Sequence, residues 1–596
     1  MTPHQKATPK HPTTTQGLAQ WASECIRDAY EKYSREFARV TRRAKRRFER
    51  ADWQGRYKDA LERLDLNEKS LEQVNAKLRH TLGVRTTDVS LWMAVKRKYT
   101  GLITGRYDIE LAETFFNSVT RKVLMTVGVN REVEYLHLED RAQPDEPKNP
   151  IYRTYVNGAE TRQLIRGILQ DHDFAIRYED IDRDAALVAT EVELFLWPIV
   201  GYDRTYTVEV IRSPFYRNKV AYTVGRIRID SQFIPFILPL YNEGTGIYVD
   251  TVLLSEAEAS RVFGFAHSYF HIEIDRHDAL IGFLKSILPQ KPVSELYASI
   301  GCPKHGKTRF YKDLHRFVHE SKEQFVIAPG KEGAVMIVFT LPDYNFVFKV
   351  IKDRPCFLRS KDITVKTISR SEVVYHYSFV CHRDRVGRMV DTLEFENLRF
   401  RRKRFSRQLL DEFRRAGTET IDIEDEHVVI HHVYVQRKVT PLPIYLATEK
   451  HPEAIRRVII DFGYFLKDLA GTGIFPCDLF NTWNYGVTRQ GRVVLFDYDD
   501  VQPLETTHFR VKPEPRDEYE ETQLEENWIT ATPDDFFMDE IDRYSGIPKP
   551  LKGIFDIVHA DLYTIAFWRE MKRKLKHGEL PDITPYDRRR KFRQRK

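Results

Sequence analysis

Between Ala328 and Asp353 the chain reads APGKEGAVMIVFTLPDYNFVFKVIKD, a short turn with two glycines followed by two apolar runs, the second of which carries Lys349. Gly330 and Gly333 lack a Cβ, so the backbone of the turn can bend tightly and offer N–H groups to phosphate oxygens. Alternation from Phe346 to Ile351 predicts a strand that points Val347 and Lys349 to one face. A lysine held beneath a glycine turn suits the phosphates of a nucleoside triphosphate. Downstream, FPCDLFNTWNYG offers Asp478, Asn481 and Asn484, and VVLFDYDD offers Asp497 and Asp499 at the end of an apolar strand. A carboxylate beside an acceptor hydroxyl orients it and takes its proton, and an amide oxygen with a second carboxylate gives Mg²⁺ hard oxygen ligands.

The order of these parts is that of a protein kinase. HVVIHHVYV followed by QRKVTPLPIYL reads as the last strand of a small lobe running into a hinge, so the backbone from Gln436 to Val439 is placed to meet an adenine edge. Two other stretches imitate phosphate-transfer motifs. Gly301 to Thr308, GCPKHGKT, fits the phosphate-loop pattern G-x-x-x-x-G-K-T, but such a loop must follow a buried strand. The preceding SELYASI has few β-branched residues and predicts a short helix or loop, which makes the stretch a turn between domains. His382-Arg383-Asp384 spells the kinase catalytic tripeptide, yet it comes before any hinge or large-lobe helix, and its fifth following residue is Met389 where asparagine is required. It reads as a charged helix near the cleft.

These parts need elements to hold them. At 596 residues the chain calls for at least two large domains. From Gly17 to about Gly128 apolar residues recur at helical spacing. Between Leu187 and Tyr248 the period changes to that of strands, and a helix returns from Glu256 to Phe270. The fold class is α+β: a flexible tail over 1–15, a mixed, largely helical domain over 16–310, and a bilobal protein-kinase-like domain over 311–596. Proline breaks the longest apolar runs, FLWPIVGY and FIPFILPLY, so no membrane span is expected, and the polar start lacks a secretory signal, which places the protein in the cytoplasm. Five cysteines without a C-x-x-C pair argue against a disulfide framework or a zinc site. The net charge is +7, with basic clusters at Arg42–Arg50, Arg399–Arg407 and the C-terminal RRRKFRQRK. No recognition motif accompanies them, so they read as solvated helix faces and a basic tail, and nucleic acid is not the expected partner.

Long stretches closely resemble the bifunctional isocitrate dehydrogenase kinase/phosphatase family of bacteria. They run from about Arg47 through RRFERADW, ETFFNSV, FYRNKVAYTVGR, AEASRVFGFAHSYF, ELYASIGCPKHGKT, APGKEG, VMIVFTLP, VFKVIKD, DRVGRMVDTLEFEN and GVTRQGRVVLFDYDD to VHADL. The resemblance implies a regulatory domain that answers to AMP or other metabolites, joined to a kinase-like domain that uses ATP and Mg²⁺. It implies an enzyme that phosphorylates a serine of isocitrate dehydrogenase and removes the phosphate at the same nucleotide site, diverting isocitrate into the glyoxylate bypass. It leaves room for a homodimer. By family motif, the ATP-binding turn falls on Ala328, Pro329, Gly330, Lys331, Glu332, Gly333 and Ala334, and the phosphate-contacting lysine on Lys349. The active-site aspartate falls on Asp391, the kinase-type aspartate on Asp478 and the Mg²⁺ aspartate on Asp497. The family writes F-P-G-D-M-L-x-K-N-F-G where this chain has Cys477, no lysine, and Asn484 one place later. Asn484 is the preferred metal ligand, with Asn481 as the alternative. The segment from Asp353 to Arg383 is longer than the family's, and the family has a bulkier residue at Gly306. Without the resemblance, Asp391 would read as a helix-surface carboxylate paired with Arg388. The alternatives are a plain serine/threonine kinase with another protein substrate, and a non-catalytic scaffold acting through its basic patches.

Overall fold

The computed structural model describes residues 14–136, 150–157, 160–200, 205–264, 269–330, 332–357, 366–479, 481–510, 535–537, 546–579 and 584–594. Helix α1 (Thr15–Glu49) opens on a Thr14 cap whose side chain accepts from the Gly17 N–H. Its apolar stripe, Leu18, Ala22, Ile26 and Tyr30, recurs every four residues and is buried against α2 (Trp53–Leu82), α3 (Val89–Ile103) and α4 (Ile109–Leu124).

A six-stranded antiparallel sheet follows: β1 (Tyr152–Val156), β2 (Thr207–Ile211), β3 (Phe215–Arg217), β4 (Val220–Ile229), β5 (Gln232–Asn242) and β6 (Ile247–Val249), in the order β1-β2-β4-β5-β6 with β3 beside β4. Helices α5 (Thr161–Gln170) and α6 (Ile181–Val200) cover one face. Helices α7 (Glu256–Val262), α8 (His277–Ile287) and α9 (Val293–Ser299) cover the other. With both faces covered, β5 is an almost continuous apolar run. Two period readings need correction. Leu187 to Val200 is helical, because FLWPIV belongs to α6, and the helix expected over Glu256–Phe270 stops at Val262.

Helix α10 (Pro303–Glu320) leads into the second half and packs Phe310, Tyr311 and Leu314 against a second sheet. That sheet contains β7 (Val326–Ile327), β8 (Met336–Thr340), β9 (Phe346–Ile351), β12 (Thr392–Arg401), β13 (Ile421–Ile423) and β14 (His427–Arg437), in the order β12-β14-β9-β8-β7 with β13 beside β14. A small pair, β10 (Cys356–Phe357) with β11 (Lys366–Thr367), and helix α11 (Arg370–Arg383) lie between β9 and β12, and α12 (Arg407–Ala416) lies between β12 and β13. The Arg399–Arg407 cluster therefore falls on a strand, a 3₁₀ turn and the start of α12, and not on one solvated helix face. The other lobe holds β15 (Thr440–Pro441), α13 (Leu442–Thr448) and the buried α14 (Pro452–Thr472). It continues with β16 (Ile474–Pro476), β17 (Tyr485–Val487), β18 (Val493–Leu495), β19 (Val501–Pro503), β20 (His508–Arg510), β21 (Asp535–Phe537), α15 (Lys549–His559) and α16 (Ile565–Lys576).

The basic C-terminus is not a free tail as far as Gln594. Tyr586 and Phe592 are buried in the two cores flanking the first sheet. The Tyr586 hydroxyl donates to Asp250, Arg590 pairs with Glu258, Lys591 stands 3.5 Å from Asp250, and Arg593 pairs with Glu179. The end of the chain thus returns to the domain in which it began.

Candidate active site

Beneath the turn, β9 pairs with β8 on one side and β14 on the other, opposing Lys349 to Val338 and Tyr434. The Lys349 side chain is buried; its Nζ donates to the Phe496 carbonyl at 2.8 Å and lies 4.0 Å from Asp497 Oδ1. Among the described residues its ionic partner is Asp497, not a glutamate from α11. That helix instead stacks Tyr377 on Tyr434, with ring centroids 4.1 Å apart. The lysine of one lobe thus reaches the metal-type aspartate of the other.

The turn itself is built as its sequence demands. Gly330 has φ +136°, and a Cβ on Gly333 would stand 2.9 Å from the Met336 carbonyl. The Ala328 N–H donates to the Val338 carbonyl, and Pro329 and Ala334 complete the curve. Glu332 turns outward to Lys352 at 3.1 Å and Arg415 at 2.9 Å, which anchors the turn. Lys331 lies outside the described residues.

Asp478 follows β16 and is half-buried. The Asn481 side chain is committed to the Trp483 N–H, whereas the Asn484 carbonyl receives the N–H groups of Phe496 and Asp497, which fixes Asn484 beside that loop. Asp497 and Asp499 face each other: burial, then the Asp497 charge, pushes the Asp499 carboxyl well above the ordinary range. Buried Oδ1 atoms of both lack a protein hydrogen-bond partner. Two such carboxyl groups would suit Mg²⁺ as hard oxygen donors, beside the Asn484 backbone carbonyl. Asp499, which the sequence offers beside Asp497 without assigning it to the metal, is the residue set against it here.

Asp391 sits just before β12, not on a helix, and Arg388 is not its partner. Arg388 is buried and donates to Asp461 at 2.7 and 2.9 Å and to Asp468 at 2.8 Å. Burial first, then the like charge of Glu295, pushes the Asp391 carboxyl up to about 7. As expected, no strand directly precedes GCPKHGKT, but the stretch is not a turn between domains, because Pro303 onward belongs to α10, and the helix expected at His382-Arg383-Asp384 ends at Arg383. Gly301 to Thr308 follows helix α9 and enters α10, where a Cβ on Gly306 would lie 2.5 Å from the Ser294 carbonyl. Asp384 ends α11 and accepts the Val386 and Gly387 N–H groups.

Residues 23–322 match the profile described as isocitrate dehydrogenase kinase/phosphatase (AceK), regulatory domain, and residues 323–588 match that of the kinase domain. The chain belongs to the isocitrate dehydrogenase kinase/phosphatase family. Relatives of that name include one from Anaeromyxobacter sp. (strain Fw109-5), 39% identical over 96% of this chain and 97% of its own. One from Yersinia enterocolitica is 35% identical over 97% and 99%, and one from Pectobacterium atrosepticum is 35% identical over 98% and 97%. A cavity of about 510 Å³ lies where the N-terminal half meets the end of α11, and neither Lys349 nor the turn lines it. Tyr33, Arg63, Tyr107 and His271 line it from the N-terminal side, and Cys381 and Arg385 from the end of α11. Inside it, the buried Arg56 Nη1 and Asn67 Oδ1 have no protein partner. Among the described residues, no helix is long and apolar enough to cross a membrane.

Proposed function

We propose that this enzyme phosphorylates a serine of isocitrate dehydrogenase from ATP, and removes that phosphate again, within the one cleft between β9 and the Asp497 loop. The observation that carries the reading is the contact of Lys349 with that loop under the glycine turn, which is the phosphate grip of a kinase. In the forward direction Lys349 and the turn hold the phosphates, and Asp478 orients the serine hydroxyl and accepts its proton. Asn484, Asp497 and Asp499 would hold Mg²⁺, which offsets phosphate charge. In the reverse direction water must be positioned and deprotonated, and Asp391, with a carboxyl at about 7, titrates in the range where a general base works best. A plain kinase leaves that aspartate unexplained. The cytoplasmic setting expected from the sequence is where such a dehydrogenase substrate would be met.

The junction cavity is the site we assign to AMP or a related effector. Its tyrosines offer faces for a purine, and Arg56 and Arg63 offer charge for a phosphate. The test is transfer of label from ATP to isocitrate dehydrogenase, followed by a chase with unlabelled nucleotide. Label on a dehydrogenase serine that is later released supports the reading, and label that never leaves reduces the protein to a kinase.

A further inference from the structure

A part-buried ionic link from the regulatory half to the end of the hinge strand passes through Glu295. This side chain, 17% exposed, projects from α9 and accepts twice from Arg437 Nη1, at 2.9 and 3.0 Å, at the end of β14. Lys291, buried in the turn before α9, approaches its other side at 3.0 Å. Burial would raise the Glu295 carboxyl, but Lys291 and Arg437 outweigh it and hold it below the ordinary range, so Glu295 is an anion. The ladder between β12 and β14 ends at Thr392 opposite Gln436. One residue further along each chain stand Asp391 and Arg437. A carboxylate from the regulatory half therefore occupies the arginine that lies next to Asp391.

We propose that Glu295 is a positioning residue for dephosphorylation: by holding Arg437 and standing beside Asp391, it makes the charge state of Asp391 depend on the placement of the regulatory domain. This rests on the reading of Asp391 as the group that activates water. Motion that carries α9 away from the hinge removes the Glu295 anion from the neighbourhood of Asp391 and takes the Lys291 ammonium with it. Glu295 outweighs Lys291 at Asp391, so the net change favours the ionised carboxylate, the form able to take a proton from water. The other groups facing Asp391 are Lys291 before α9, Asp384 and Cys381 at the end of α11, Tyr269 after α7 and Tyr498 after β18.

The test is the pH dependence of phosphate release from phosphorylated isocitrate dehydrogenase by the full-length enzyme. Asp391→Asn is the control on the underlying reading: loss of the acid limb supports it, and a surviving limb removes Asp391 from the reaction. With that limb assigned, Glu295→Gln removes a like charge, so its midpoint should fall by about one pH unit. Activity measured one unit below the original midpoint then rises about fivefold relative to the plateau. Lys291→Met removes an opposite charge and should move the midpoint upward. Opposite displacements support the coupling. A midpoint that stays fixed in either variant, or moves the same way in both as general loosening would make it, overturns the coupling while leaving the role of Asp391 intact.

Discussion

Replacing Arg388 with methionine tests how the strand carrying the Asp497 loop is held. The guanidinium is buried, spans Asp461 and Asp468, and gives a further bond to the Val493 carbonyl at 3.1 Å. Asp461 also accepts the Val493 N–H at 2.7 Å, and the Arg388 carbonyl accepts the Leu495 N–H at 2.7 Å, so this cluster pins β18 to α14 just before the metal-type loop. Methionine fills much of the space but leaves two carboxylates without their cation. Breaking a buried pair from one side costs about 3–5 kcal/mol, and the double engagement of Arg388 places the loss in the upper part of that range. The sign with pH follows from Asp461. Burial would raise its carboxyl, but Arg388 outweighs burial and holds it below the ordinary value. The resulting stability is full above about pH 4 and fades as pH falls through the lower, folded-state value. Urea unfolding of wild type and Arg388→Met should therefore show a large gap at pH 7.5 that persists down to about pH 4 and narrows only below it. A gap below about 1 kcal/mol at pH 7.5 would refute the reasoning, because an exposed pair is worth no more than that.

Lys349→Met should lower both phosphorylation and dephosphorylation by at least about a hundredfold, since each needs the phosphates held, and near-normal phosphate release from the folded variant would separate the two sites. Asp391→Ala should lose dephosphorylation far more than phosphorylation, and Asp478→Ala should damage transfer to the dehydrogenase; equal losses of both activities in Asp391→Ala with ATP affinity intact would withdraw its special role. Lys307→Ala should leave the KM for ATP unchanged, because Lys307 lies inside α10 and not on a phosphate loop, and a tenfold rise would reinstate the rejected motif.

The glycine hairpin was legible because its signals are local: a turn, two apolar strands and a lysine at alternating spacing. The same holds for Asp497 at a strand end and for the two imitated motifs, whose flanking residues betray them. Strand β12 was hidden by one residue. Phe395 is buried and so are Leu398 and Phe400, a change of parity that occurs across Asn397, whose φ is +54°. A two-residue period cannot be read through such a reversal. Helix α6 was misread because its final turn is apolar on all sides and contains Pro198, which resembles a short buried strand. Arg388 reaching to Asp461, and Glu295 reaching to Arg437, join residues far apart in the chain, and no spacing rule announces them.

The return of Tyr586 and Phe592 to the first sheet has a consequence for the order in which the molecule is made. Synthesis proceeds from the N-terminus, and domains generally fold as units while it does so. Here the first sheet emerges early, yet two of the side chains that fill its flanking cores, and the cations that neutralise Asp250 and Glu258, arrive only after the whole catalytic region has been translated. The nascent regulatory half therefore lacks two of its core side chains until Tyr586 and Phe592 have been made. A fragment cut between the two halves inherits that unfinished state permanently, and the enzyme gains its full regulatory domain only once its catalytic one is already complete.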